Sequence, residues 1–494
     1  MGDEVVALEY EKMIDFTSAS INFELIYSEI SLLVAAFLIL LTAFQRHLAR
    51  LAPLVALVGI AASFYFALQQ WGNQMSGFFG MITCDDFGTA FKLLFLVVAA
   101  LTLLIAHRFL IVKRISSPEF YALLLVSTMG MMVMANTTDL LVMFLGLEIM
   151  SVPLYVMAGY ARRSLASNEA GIKYFIMGAF ASAFLLLGIA FVFGASGTTD
   201  LRQIVADYSF IVSNFQNYLY AGAALILIGF GFKIAAVPFH AWVPDVYHGA
   251  PTPVTAFFSV NPKAAGFAMM LRIFLFGFEQ MEMLTELFWV LAVLTMTVGN
   301  ILALRQNNVK RMLAYSSIAH AGYILVALCV GGNDAMSAAV FYLVAYAMFN
   351  LGAFAVIVLL ETRSGCKSDF SELSGLSSSA PYLSAVLALF MFALAGFPPT
   401  VGFLGKFYIF SAAVKSGYIL LTVIAVMNSF LSVYYYLRIV KTSYFETFEG
   451  TFAPAPYSPA IMVVLFITAV GTLGLGFFPD RVLEFSQSAL FAFL

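Results

Sequence analysis

Residues 231–253 read GFKIAAVPFHAWVPDVYHGAPTP and close an apolar run that starts near Leu219. The stretch holds Lys233 and the prolines Pro238, Pro244, Pro251 and Pro253. Proline removes a backbone donor and clashes with the preceding turn. In lipid, an interrupted helix survives only inside protein or beside water. Residues 394–410, LAGFPPTVGFLGKFYIF, repeat the pattern, with Gly396, Pro398 and Pro399 ahead of Lys406. Two broken apolar runs, each with a lysine, point to a membrane protein built around discontinuous helices.

The rest of the chain supports that class. Of 494 residues, 62% are hydrophobic and 10% charged. A water-facing domain carries about 25% charged residues. The net charge of -3 is spread out, and no basic run suggests nucleic acid. The cysteines Cys84, Cys329 and Cys366 form no CxxC pair, so neither an iron–sulfur cluster nor structural zinc has a thiolate site. No GxGxxG or Walker A motif supports nucleotide binding. Residues 1–24 are acidic and polar, lack the basic start of a signal peptide and read as an exposed extension; a start at Met13 is the alternative.

A bilayer crossing needs about 20 mostly apolar residues. About fourteen runs qualify by that measure: 26–44, 51–68, 87–106, 120–135, 140–160, 170–193, 219–237, 252–276, 287–304, 312–330, 336–360, 382–413, 419–440 and 461–478. Strand-type alternation is absent, which excludes a barrel. The expected fold is an all-α polytopic membrane protein whose helices 7 and 12 are discontinuous. Lysine and arginine set the orientation. Odd-numbered loops hold Arg46, Arg50, Arg108, Lys113, Arg114, Arg162, Arg163, Arg305, Lys310, Arg311, Arg363, Lys367, Arg438 and Lys441; even-numbered loops hold Arg202, Lys415 and, at a span end, Arg272. Odd loops are therefore cytoplasmic, and both termini lie on the other side.

The two breaks lie five spans apart. Five is odd, so a second copy of the first unit is inverted in the membrane. Weaker echoes agree: NTTDLL (136–141) with NNVKRML (307–313), and Gly188 in span 6 with Gly352 in span 11. The expected organisation is an extension (1–24), helices 1–3 (25–118), a first five-helix repeat (119–280), a second, inverted one (281–445) and a C-terminal helix (446–494).

A charge at the centre of a membrane helix costs about 2.5–3.5 kcal/mol even on the lenient insertion scale. Glu148, in LVMFLGLEIMSVPLY, is either a carboxyl bonded to a neighbouring helix or a carboxylate that tunes a lysine. Lys233 and Lys406 sit at the two breaks, and Lys263 lies deep in span 8 beside Asn261 and Pro262. An amine that can be deprotonated carries protons; the competing reading is structural pairing. Lys173, nearer a span start, competes with snorkelling. His240 and His248 flank the first break, and His320 lies in mid-span 10; each is a proton shuttle or a hydrogen-bonded structural histidine. Tyr315, Ser316 and Ser317 hold water or bond between helices. No ligand cluster for a metal is visible.

GLEIMSVPLY, GFKIAAVPFHAWVPDVYHGAPTPVTAF, RMLAYSSIAHAGY and AGFPPTVGFLGKFYIF together resemble the antiporter-like membrane subunits of respiratory complex I, the NADH:quinone oxidoreductase. They also resemble subunits of multisubunit cation/proton antiporters and membrane-bound hydrogenases. The resemblance runs from span 4 to span 13. Lysine in a GFLGKF context, where a sister branch has glutamate, implies one particular branch of the complex I subunits.

The resemblance implies proton translocation by Glu148 paired with Lys233, a bridge through Lys263, and Lys406 in the other half, with Lys173, His240 and His320 as secondary candidates. It implies no cofactor in this chain; NADH, FMN, iron–sulfur clusters and quinone belong to the rest of the complex. The implied partners are other membrane subunits, including a second antiporter-like subunit and small helical subunits, within the inner (plasma) membrane of a bacterium. A stand-alone transporter and a passive scaffold are the competing classes.

Overall fold

The computed structural model describes residues 21–45, 47–362, 368–447 and 458–491. Most of the N-terminal extension, Arg46, Arg363, Cys366 and Lys367 lie outside the described residues. The long helices are α1 (Tyr27–Thr42), α2 (Ala52–Gln70), α3 (Asp86–Val112), α4 (Pro118–Ala135), α5 (Leu140–Ala158) and α6 (Leu165–Ser196). Span 7 is two helices, α7a (Tyr208–Ile234) and α7b (Val243–Gly249). Then follow α8 (Thr252–Arg272), α9 (Glu282–Leu304), α10 (Val309–Val330) and α11 (Gly332–Glu361). Span 12 is also split, into α12a (Pro381–Ala395) and α12b (Val401–Lys415), before α13 (Ile419–Phe445), α14 (Pro459–Phe477) and α15 (Asp480–Phe491).

Among the described residues, twelve helices are long and apolar enough to cross a membrane. Two of the expected fourteen runs take another form. Span 12 divides into two helices of 15 residues each, too short to cross alone. Helix α8 has 21 residues, all buried, and carries Thr252, Thr255, Ser259, Asn261, Lys263 and Arg272. A helix fully enclosed by protein need not be apolar all round. The bundle is accordingly graded: 89% of an 18-residue apolar stretch is buried in α10 and in α11, against 28% in α14.

Two features were not expected from the sequence. A two-stranded antiparallel hairpin, Met75–Gly77 with Ile82–Cys84, joins α2 to α3. The helix α15 follows α14, and its Phe485 stacks on Trp71 with ring centroids 4.8 Å apart.

Both breaks are built alike. α7a ends at Ala235 with φ 64°, and α12a ends at Gly396 with φ 88°. Each left-handed residue stops its helix just ahead of a cis peptide, Val237–Pro238 in one and Pro398–Pro399 in the other. The echoed segments also match. Asp139 caps α5 through Leu141 N and Val142 N and bridges antiparallel to Asp200. Asn308 caps α10 through Arg311 N and bridges antiparallel to Asp369. Gly188 lies against α7a, where a Cβ would meet Gly222 O at 2.8 Å; Gly352 lies against α12a, where one would clash with the Phe390 ring.

Candidate functional site: buried amines across the bundle

At the first break, Lys233 lies on the last turn of α7a and is 2% exposed. Its Nζ donates to Ser151 Oγ at 2.7 Å and Tyr155 Oη at 3.3 Å, both from α5. The rings of Tyr155, Phe232 and Tyr174 surround it at 5.4, 5.8 and 5.9 Å from their centroids. Aromatic faces attract a cation without offering it a base. The amine is thus held in a cage whose polar exits are two hydroxyls.

Glu148 lies one turn before Ser151 on α5 and is partly buried. Its Oε1 accepts a 2.5 Å hydrogen bond from Ser182 of α6. None of the ion pairs within 4.0 Å among the described residues joins Glu148 to Lys233. The pairing implied by the resemblance is open in this conformation, with Lys233 bonded to Ser151 and Glu148 to Ser182.

Lys263, 4% exposed, projects from α8 to α10, where Nζ donates to Ser317 O at 2.9 Å and Ser317 Oγ at 2.8 Å. Ser317, His320 and Tyr323 follow each other at three-residue steps on α10, so they share a face. His320 is 2% exposed. Its Nδ1 contacts Tyr342 Oη at 2.5 Å and its Nε2 contacts Tyr436 Oη at 3.0 Å; Tyr436 also meets Ser316 Oγ. The His320 and Tyr323 rings meet edge to face at 5.7 Å. Lys406 Nζ stands 5.0 Å over Tyr323. One face of α10 therefore carries hydroxyl, imidazole and phenol groups between the sides on which Lys263 and Lys406 approach it.

Lys406 uses the second break directly. Its Nζ donates to Leu394 O at 3.1 Å and Ala395 O at 3.0 Å, the carbonyls freed where α12a stops, and to Ser429 Oγ at 3.0 Å. A cavity of about 610 Å³ opens beside it between α12b and α13. Lys233, by contrast, meets side-chain hydroxyls rather than freed carbonyls.

Of the secondary candidates, His320 lies on this face of α10, while Lys173 and His240 lie elsewhere. The Lys173 side chain is 40% exposed and pairs with Glu169 at 2.6 Å and Asp245 at 2.8 Å. His240 lies within the first break, and its Nδ1 has no hydrogen-bond partner among the described residues. His248 Nδ1 contacts Asn308 Oδ1 at 3.3 Å. Among the described residues, no three metal-ligating side chains converge.

Sequence reasoning missed three buried ion pairs. Lys92 and Glu29 meet at 2.7 Å with side chains 0% and 6% exposed, backed by Ser28 and Gln70. Arg272 clamps Asp85 with two bonds, at 2.8 and 3.0 Å. Lys310 faces Glu361 at 4.0 Å. Each residue lies near a run's end, where snorkelling is the default reading; only the packing shows them enclosed. Ser151, Tyr155, Tyr342, Tyr436 and Ser429 were missed because single hydroxyls in apolar runs carry no pattern.

Broken helices that present enclosed amines to relays of hydroxyl and imidazole groups define a membrane protein that handles cations or protons inside a helical bundle. The chain belongs to the NADH:quinone oxidoreductase/Mrp antiporter transmembrane family, whose pattern matches residues 137–432. It is 47% identical to NADH-quinone oxidoreductase subunit N of Trichlorobacter lovleyi over 437 residues, 88% of this chain and 90% of that protein. Among solved structures, a chain of respiratory complex I from Thermus thermophilus with bound aureothin aligns at TM-score 0.79 and 33% identity, over 92% of this chain and 98% of that one. A chain of the archaeal membrane-bound sulfane sulfur reductase aligns at TM-score 0.82 and 26% identity, over 94% and 96%.

Proposed function

We propose that this chain is the proton-translocating membrane subunit of an NADH:quinone oxidoreductase, in the position that subunit N holds in its relatives. The observation that carries the reading is the placement of two enclosed amines, Lys263 and Lys406, against one face of α10 that also bears His320 and Tyr323. Quinone reduction elsewhere in the complex changes the field at Glu148. With Glu148 close, the neutral Lys233 amine takes a proton from the cytoplasm, because the carboxylate favours the ammonium it becomes. As the pair loosens, the proton passes to Lys263 and along the Ser317–His320–Tyr323 face to Lys406, which releases it outside. An opposite charge within about 4–6 Å is worth roughly 1.4–4 kcal/mol, against about 2.3 kcal/mol to move one charge through 100 mV. The lever is strong enough.

Helices α4–α8 and α9–α13 are read as the two inverted repeats, on the matched breaks, caps and bridges. NADH, FMN, iron–sulfur clusters and quinone belong to partner subunits, which include a second antiporter-like subunit and small helical subunits. The bundle sits in a bacterial inner membrane with both termini outside. Supporting that orientation, the three cations of the even-numbered loops are each paired with a carboxylate: Arg202 with Asp200, Arg272 with Asp85 and Lys415 with Asp334.

The test is Lys233→Ala in the intact complex. Quinone-coupled proton uptake by inverted vesicles is expected to collapse at matched subunit content. Normal uptake would remove Lys233 from the path.

A further inference from the structure

The cytoplasmic ends of α3, α6, α8, α10 and α11 enclose a cavity of about 430 Å³ that the proton path does not use. Four cations line it, Lys113, Arg114, Arg163 and Lys310, against one carboxylate, Glu361. Lys113, Arg114 and Arg163 form an exposed rim. Lys310 forms the floor, with its side chain 7% exposed. Its Nζ has one hydrogen bond, 2.9 Å to Ala250 O, and only a 4.0 Å approach to Glu361. The Glu361 carboxylate is already engaged by the hydroxyls of Thr252 and Ser368. An ammonium has three donors, so Lys310 keeps donor capacity for a ligand. The starts of α6 and α8 border the same space through Ser164 and Thr252, and both helix dipoles favour negative charge there.

We propose that this cavity is a binding site for a phosphate-bearing anion. A hydrated proton is repelled by the surplus of cations, which argues against a proton inlet. A halide would leave most of the volume empty, whereas a phosphodiester brings several oxygens to donors on opposite walls. The apolar wall at Phe109 and the exposed Leu165, 87%, which follows the lining residue Ser164, suit the headgroup of an anionic lipid at the membrane surface. Free phosphate shares the chemistry and is the other source. The side of the membrane rests on the orientation proposed above; the site itself does not.

The experiment uses the whole complex in liposomes containing a photoactivatable diazirine phosphatidylglycerol, with crosslinks mapped by peptide mass spectrometry. No turnover is needed, so failure here is separable from failure of the proton path. Crosslinks are expected in segments 109–115 and 161–164. They are expected to fall at least about tenfold in the K113E/R163E double variant, since each surface cation contributes about 1 kcal/mol to anionic-lipid binding. They should persist in K441E, whose lysine is 70% exposed and absent from this cavity. If the double variant fails to assemble, K113Q/R163Q carries the test. Competition by unlabelled phosphatidylglycerol, but not by inorganic phosphate, assigns the lipid. Equal protection by millimolar inorganic phosphate keeps the anion site and assigns the free ion. Wild-type crosslinking in the charge variants, or competition by phosphatidylcholine as strong as by phosphatidylglycerol, would overturn the proposal.

Discussion

Lys233 and Lys173 are sixty residues apart in sequence and opposite in environment. Lys233 is enclosed and bonded to neutral hydroxyls. Lys173 is 40% exposed between two carboxylates. Ion pairs that face solvent contribute about 0–1 kcal/mol, so Lys173→Ala should leave assembly and pumping near wild type, as read by vesicle proton uptake. A collapse comparable to that of Lys233→Ala would put Lys173 back on the path. Glu148 bonds to Ser182 rather than to Lys233. Its role in the proposal is charge, not shape. Glu148→Gln should therefore depress pumping more than Glu148→Asp, because Gln keeps the hydrogen-bonding outline and loses the field. Full activity in the Gln variant would end the tuning argument. At this scale membrane cost alone singled out Glu148, Lys173, Lys233, Lys263 and Lys406 from the sequence, and it passed over Lys92 and Glu29, which stand nearer the ends of their runs. The sequence was silent on Tyr342, Tyr436 and Ser429, which meet His320 and Lys406 only once α10, α11, α12b and α13 are packed together.

At the scale of the element, the two breaks are the informative comparison. Ala235 and Gly396 both occupy left-handed backbone. That conformation costs a residue with a Cβ roughly 1–2 kcal/mol. At Ala235 the cost is tolerated; at Gly396 an added Cβ would also stand 3.1 Å from Lys406 Cδ. Gly396→Val is therefore expected to displace the Lys406 amine from the Leu394 and Ala395 carbonyls and lower pumping sharply, whereas Ala235→Gly should be near neutral. Equal pumping by both variants at matched subunit content would separate the second break from Lys406 function. Proline clusters made both breaks legible in advance. The splitting of span 12 into two 15-residue helices was legible for the same reason. The Met75–Gly77/Ile82–Cys84 hairpin was not, because strands of three residues are too short to show alternation. Helix α15 was missed because its charged and apolar residues read as a tail.

For the whole molecule, polarity runs inward rather than outward. The most enclosed helices, α8, α10 and α11, carry Lys263, His320, Tyr342 and Asn350, while α14 and α2 carry large apolar side chains outward. A chain folded this way has lipid for solvent and a polar interior for function. The central claim is that the lysines of that interior carry protons by giving them up. Lys406→Arg tests it most directly. Arginine keeps the charge, reaches the freed carbonyls of the break, and is effectively never deprotonated, with a pKa above about 12. Proton uptake by inverted membrane vesicles, driven by NADH oxidation and normalised to assembled complex, is the measurement. The account requires an assembled complex whose uptake is strongly impaired. Wild-type uptake by Lys406→Arg would contradict it, because a residue that never releases its proton would then suffice.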